Sequence, residues 1–340
     1  MTNFYICRTK NCNDRWLKGL FVGLLLLLGS TFAQAEVEAP LRVVATTGMV
    51  ADVVREVGGS CVQVTALMGP GVDPHLYRAS AGDVRTFQEA ELIFYNGFNL
   101  EGRLASLLEH IGERVPTFAL GELASVPEAA FLEGEDDFAG QTDPHLWMDA
   151  SLWAQTTEVV ADAILALRPA CEAEVRANAA RYQAELRALH EWIAASIATI
   201  PEAQRVLVTA HDAFSYFGAA YGIEVEGIEG ISTEAEASIA DIRAVTELVV
   251  SRGVPAIFVE TTINPRNIEA VRAAARERGA EVAIGGELYG DAMGEDGSPE
   301  GSYIGMLRHN TLTIIAALGG EAAPWPEALS AWAERWEVTD

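Results

Sequence analysis

The chain has 340 residues, half of them hydrophobic, and carries a formal net charge of −26 from 49 acidic against 23 basic residues. An acidic excess of that size repels nucleic acid and anionic membrane, so neither is an expected partner, and it attracts cations only diffusely. A chain of this length suggests two domains rather than one.

At the N-terminus, Arg8, Lys10, Arg15 and Lys18 precede or border an apolar run over 20–28, and Ala33-Gln34-Ala35 follows. A basic region, a short apolar core and an A-x-A site make a secretory signal peptide of residues 1–35, with cleavage expected after Ala35. The apolar run is about half the roughly 20 residues needed to span a bilayer, which argues against a membrane anchor. No cysteine stands just after it, which argues against a lipid anchor. The expected mature protein is soluble and periplasmic. Losing Asp14 and those four basic residues leaves 48 acidic and 19 basic residues, all of the latter arginine, for a net charge of −29. Cys7 and Cys12 leave with the signal peptide. Cys61 and Cys171 remain, in a compartment that permits a disulfide, and the sequence leaves their pairing open.

Downstream, β-branched runs predict strands over 41–45, 62–67, 92–95 and 117–120, with helical patterns over 51–57 and 79–89 between them. An acidic loop, Gly134-Glu135-Asp136-Asp137-Phe138-Ala139-Gly140, is expected to be mobile and contains no histidine. From about 168 to 200 the chain is rich in Ala, Glu, Arg and Leu, with no Gly or Pro after Pro169. That predicts a helix of about 30 residues, roughly 45 Å long, dividing two strand-rich halves like a strut. The second half offers strands over 205–209, 223–227, 256–259 and 281–284, with helices over 234–251 and 267–278. Thr233 followed by Glu236 fits a capping box at the start of the first of these helices. Strand–helix alternation of this kind predicts an α/β protein of parallel sheets covered by helices.

One tetrapeptide occurs twice, Asp73-Pro74-His75-Leu76 and Asp143-Pro144-His145-Leu146, each copy followed by an aromatic residue, Tyr77 or Trp147. Proline stiffens the backbone just ahead of each imidazole, so both histidines sit on shaped loops suited to a transition metal. His211 follows the expected strand 205–209, and Asp291 lies in the loop Gly290-Asp291-Ala292-Met293-Gly294. All four fall beyond the carboxyl ends of strands, where α/β folds place ligands. Their intervals of 70, 66 and 80 residues exclude a zinc finger, whose ligands cluster within a few tens of residues. Asp73 and Asp143 are expected to shape their loops by accepting backbone N–H bonds, with orientation of the neighbouring imidazoles as the alternative. Glu260 is a candidate acceptor for a ligand's ring N–H. His110, His190 and His309 are read as surface or packing residues.

These stretches resemble the cluster 9 solute-binding proteins of metal-ion ABC transporters. The resemblance rests on Gly71-Val72-Asp73-Pro74-His75, on 143–149, and on Thr209-Ala210-His211-Asp212-Ala213-Phe214. It continues through Gly230-Ile231-Ser232-Thr233-Glu234, 286–294 and 301–310, six motifs in order over nearly all the mature chain. It is closest to the TroA-like zinc- and manganese-binding members. The resemblance implies two lobes, each a mainly parallel sheet flanked by helices, joined by one long backbone helix. The N-terminal metal-binding lobe would span 36–166, the connecting helix 167–201 and the C-terminal metal-binding lobe 202–340. It also implies that His75, His145, His211 and Asp291 are the metal ligands.

Two departures matter. The zinc-specific members often carry a His-rich loop where this chain has its acidic one, and manganese-selective members often have Glu in place of His211. Three imidazoles and a carboxylate suit four-coordinate Zn²⁺, while a bidentate Asp291 would admit Mn²⁺ or Fe²⁺. The expected function is capture of Zn²⁺ or Mn²⁺ in the periplasm by a monomer that delivers it to a membrane permease. A periplasmic buffer or adhesin without transport is the alternative. A metallohydrolase is disfavoured, because four protein ligands leave no open position and no H-E-x-x-H helix is present.

Overall fold

A computed structural model of the chain describes residues 39–134 and 140–338. The signal peptide and its cleavage site lie outside the described residues, as do residues 135–139 of the acidic loop. The described residues form one compact unit.

In the first half, β1 (Leu41–Ala45) leads into α1 (Gly48–Gly58), then β2 (Val62–Ala66), α2 (Ala81–Glu89), β3 (Leu92–Tyr95), α3 (Ala105–Gly112), β4 (Thr117–Ala119) and a short α4 (Leu120–Leu123). The strands form one parallel sheet in the order β2-β1-β3-β4. Its strands match the sequence expectation to within a residue, because a buried parallel strand reads as a short run of apolar side chains. One face of the sheet packs Val44 and Ile93 against Phe87, Leu104, Leu108 and Ile111 of α2, α3 and the loop ahead of α3. Val43, Ala45 and Phe94 on the other face join α1 and the helices that follow.

Those helices are α5 (Ala150–Trp153), α6 (Thr156–Leu167) and α7 (Glu172–Ile197). α7 has 26 residues, or roughly 39 Å at about 1.5 Å per residue. It starts four residues later than expected because Pro169–Cys171 form a separate 3₁₀ turn. Val175, Ala179, Tyr182, Leu186, Leu189, Ile193 and Ile197 are buried along it, the alternating three- and four-residue spacing of one helix face. α7 is therefore more than a strut. Its apolar stripe lies in a core cluster that also takes side chains from α1, α6, α8 (Ser215–Tyr221) and a later helix, Tyr303–Leu318. Cys61 and Cys171 form a disulfide, with Cα atoms 6.3 Å apart, that ties the residue before β2 to the residue before α7. The fold thus decides a pairing that spacing alone left open.

The second half has β5 (Val206–His211) and β6 (Glu224–Glu229) as one parallel pair, then β7 (Ala256–Glu260) and β8 (Ala283–Leu288) as another. Helices α9 (Ile239–Arg252) and α10 (Arg266–Glu277) cover one side through Val245, Val249, Ile268 and Val271. The helix Tyr303–Leu318, here α11, packs on the other side, and α12 (Ser330–Arg335) closes the chain. Three of these four strands run two to four residues beyond their expected ends, where Ala210, Ile228 and Leu288 alternate with polar or glycine positions that break the apolar run. β8 contains Gly285 and Gly286, where side chains would collide with Phe258 and Ala317, and with Thr313. Gly286 also has φ +147°, which L side chains rarely adopt.

The expected capping box at Thr233 is corrected. α9 begins at Ile239, capped by Ser238, whose hydroxyl accepts from Ala240 and Asp241 N–H while Asp241 returns the bond to Ser238 N–H. Thr233 is drawn elsewhere, to Asp73 of the first half. Among the described residues no helix is long and apolar enough to cross a membrane.

Candidate metal centre

The carboxyl ends of β2, β5 and β8 converge. His75 stands on the loop after β2, His145 on the loop before α5, His211 at the last residue of β5, and Asp291 three residues past β8. One ligating atom from each of the four lies within 4.8 Å of the others, and all four residues are buried. The Asp291 carboxylate is the hub. Its Oδ2 lies 3.2 Å from His211 Nε2 and 3.5 Å from His75 Nε2, and its Oδ1 lies 3.3 Å from His145 Nε2. Among the described residues, none of the three Nε2 atoms and neither Asp291 oxygen has a partner at good hydrogen-bond geometry. Five buried polar atoms aimed at one point, with only one another for company, form a polar pocket that a cation would satisfy better.

Local sequence explains how each side chain is held. Asp143 Oδ1 accepts the His145 backbone N–H at 2.9 Å and lies 2.7 Å from the ring Nδ1. Loop shaping and ring orientation, weighed as alternatives from sequence, are here performed by one oxygen. The Pro144 carbonyl is fixed by Asn96 Nδ2 at 2.9 Å, and the Asp143 carbonyl by the Tyr216 hydroxyl at 3.2 Å. Glu260 grips His211 in a similar way: Oε1 accepts its backbone N–H at 3.0 Å, and Oε2 lies 2.9 Å from Nδ1. The loop of Asp291 is tied by Trp147, whose indole N–H donates to the Gly290 carbonyl at 3.1 Å, while the Tyr303 hydroxyl donates to the Trp147 carbonyl at 2.6 Å. Gly290 is required by space, since a Cβ there would meet the Glu260 carboxylate.

His75 is held differently. Asp73 Oδ1 accepts the N–H of His75 at 2.8 Å and, more weakly, that of Leu76 at 3.4 Å. Among the described residues no carboxylate other than Asp291 acts on this ring. Electrostatics follow. Burial pushes His75 down to about 3, because the charged ring would lose its water. Burial also opposes charge on His145, but Asp143 and Asp291 outweigh it and raise that ring to about 9. For His211, burial is again opposed, and Glu260 and Asp291 hold the ring well above the usual histidine range. Burial would raise Asp291, yet His211 and His145 hold it well below the usual carboxylate range. The carboxylates thus favour the charged form of His145 and His211, while burial favours the neutral form of His75.

The other histidines lie elsewhere, as expected. His110 is exposed on α3, His190 faces Asp149 at 3.3 Å from α7, and His309 Nε2 is 3.0 Å from the Glu287 carbonyl. Sequence reasoning missed Asn96, Tyr216 and Tyr303 as supports. Asn96 and Tyr216 stand in no motif, and Tyr303, though inside the 301–310 stretch, gives no sign in sequence of which carbonyl it holds.

The family model described as the periplasmic zinc-uptake complex component A (ZnuA) matches residues 43–317. The chain belongs to this family. Within it, the chain is 41% identical to the manganese-binding lipoprotein MntA of Bacillus subtilis (strain 168) over 291 residues, covering 85% of this chain and 94% of MntA. It is 42% identical to the zinc-binding protein TroA of Treponema pallidum (strain Nichols) over 300 residues, covering 88% and 95% of the two chains. The structure of the periplasmic zinc-binding TroA of Treponema pallidum superposes with a TM-score of 0.78 at 41% identity, over 82% of this chain and 99% of that one. The Fe(III)-bound YtgA of Chlamydia trachomatis superposes at 0.73 with 29% identity, over 83% and 99%. ZnuA-family relatives thus carry zinc, manganese and iron(III) in their names on one α/β scaffold, the scaffold seen here.

Proposed function

We propose that this protein captures a divalent transition-metal ion in an exported compartment and delivers it to the permease of an ABC transporter. The ligands are His75, His145, His211 and Asp291. The observation that carries this is the convergence of three buried imidazole Nε2 atoms on both oxygens of one buried carboxylate. Capture exchanges the ion's water for these four side chains and expels protons from the rings that hold them. Residues 36–166 form one lobe, 167–201 the connecting helix and 202–340 the other lobe, with the ion between them. The mature chain begins after Ala35 and acts as a monomer.

Four protein ligands fill a tetrahedral shell, so the site suits holding an ion rather than activating a water on it, and the protein is a carrier rather than an enzyme. Three imidazoles and a carboxylate favour Zn²⁺ slightly over Mn²⁺, and the affinity order puts zinc above manganese at a given site. The test is calorimetric titration of the chelator-stripped mature protein with Zn²⁺ and Mn²⁺ separately, with His211→Ala as control. One tight site per chain, lost in the variant, is the expected result. No stoichiometric site, or one indifferent to the substitution, would overturn the reading.

A further inference from the structure

The three imidazoles are secured unequally. His145 and His211 each have a carboxylate at the ring nitrogen facing away from Asp291. His75 is fixed through its backbone, by Pro74 and by the Asp73 oxygen that accepts its N–H. What holds Asp73 then decides where His75 points. Its second oxygen accepts the hydroxyl of Thr233 at 2.6 Å, across 160 residues of sequence. The next residue, Glu234, binds Arg103 Nε at 2.8 Å, and Nη1 of the same guanidinium donates to the Leu76 carbonyl at 3.3 Å. Two consecutive second-half residues thus bracket His75, one through the residue pair before it and one through the residue after it. Thr233 is buried, and it belongs to neither a helix nor a strand.

We propose that Thr233 and the Arg103–Glu234 pair form a clasp that positions His75 on the cargo ion and sets how slowly the ion leaves. This rests on the metal-capture reading of the site. None of the three touches the ion; they act through the loop that carries His75. Parting the two loop tips would free His75 while His145, His211 and Asp291 kept their own supports. Release would then begin with one ligand of four, and would require no large motion about α7. The two links differ in weight. Thr233 to Asp73 is a part-buried hydrogen bond to a carboxylate, whereas the Arg103–Glu234 pair is more exposed and screened by solvent.

The test loads the mature protein with Zn²⁺ and follows transfer to an excess of chelator by stopped flow. Thr233→Val keeps the shape and removes the hydroxyl. Dissociation should quicken roughly tenfold or more, with one ion still bound per chain. Thr233→Ser, which restores the donor, should return the rate close to that of the unsubstituted protein. Glu234→Gln should quicken release by only a few fold. Glu224→Gln, which breaks the exposed Arg252 bridge at the far end of β6, should change nothing. A purely structural role for Thr233 would lower the melting temperature of the metal-free protein without altering the dissociation rate. Unchanged release from a stoichiometrically loaded Thr233→Val protein overturns the clasp. An unsubstituted protein that binds no zinc overturns the capture reading instead.

Discussion

The two copies of Asp-Pro-His-Leu are identical in sequence and are put to different uses. In both, one aspartate oxygen accepts the histidine's own N–H, at 2.8 Å for Asp73 and 2.9 Å for Asp143. At the second copy the same oxygen also faces the ring Nδ1, and the other has no hydrogen bond. At the first copy the other oxygen reaches Thr233 of the opposite half, and among the described residues the ring gains no carboxylate behind it. The tetrapeptide therefore encodes a turn that presents an imidazole. Whether the aspartate then steers the ring or anchors the loop depends on what packs behind it.

The largest expected effect removes one of the two groups that the copies do not supply. Asp291→Asn or His211→Ala should weaken Zn²⁺ binding on the order of a thousandfold by calorimetry, since each deletes a charged or imidazole ligand from a buried shell. His190→Ala, on α7 and facing Asp149, should leave affinity within about twofold. Equal losses in His211→Ala and His190→Ala would mean the ligand set is wrong.

Proton competition should follow the unequal surroundings of the rings. His145, raised to about 9, and His211, raised well above its usual range, hold protons at neutral pH in the metal-free protein, whereas His75, lowered to about 3, does not. A raised folded-state value means the proton must be displaced at any pH below it. Affinity should thus fall as pH falls through the neutral range, and loading at pH 7 should release about two protons per ion. Calorimetry in buffers of differing ionisation enthalpy counts them. No proton release would contradict this electrostatic picture.

The direct comparison of the copies comes next. Asp143→Asn should cost about 10- to 100-fold in affinity, the usual range for a partner that orients a ligating imidazole. Asp73→Asn still offers an oxygen to the His75 N–H and a polar atom to Thr233, so its cost should stay below about tenfold. If the two variants were equally impaired, the copies would be doing the same work after all.

The smallest effect on the site concerns the disulfide. Its reduction should lower the stability of the fold by about 2–5 kcal/mol, seen as a drop in thermal midpoint. It should leave Zn²⁺ stoichiometry at one, because Cys61 and Cys171 secure α7 rather than a ligand loop.

Much of this was legible in the residues. Strand–helix alternation, the four first-half strands and the long α7 follow from hydrophobic period and propensity, which act locally. The four converging residues were legible because proline-shaped or glycine-flanked loops at strand ends are unusual places for three imidazoles and a carboxylate. Glu260 was foreseen from its place at the end of β7. Less legible were the last residues of β5, β6 and β8, where polar side chains and glycines are tolerated because neighbouring strands and α11 decide what fits. Thr233 shows the limit most plainly. Thr-x-x-Glu is a fair capping signal, yet a half-buried carboxylate from 160 residues away competed for the hydroxyl, and Ser238 capped the helix instead.

What the sequence determined by itself is the local chemistry: an acidic α/β chain with two Asp-Pro-His turns, and a further histidine and aspartate at strand ends. Only the tertiary structure decided how those parts were used. It paired Cys61 with Cys171, joined both halves through the apolar stripe of α7, set Glu260 and Asp143 behind two rings, and left the third to Thr233. The physical reason is distance. Backbone turns and helix faces are fixed by neighbours a few residues apart, while the partner of a buried polar atom is whichever group the packed core brings within about 3 Å.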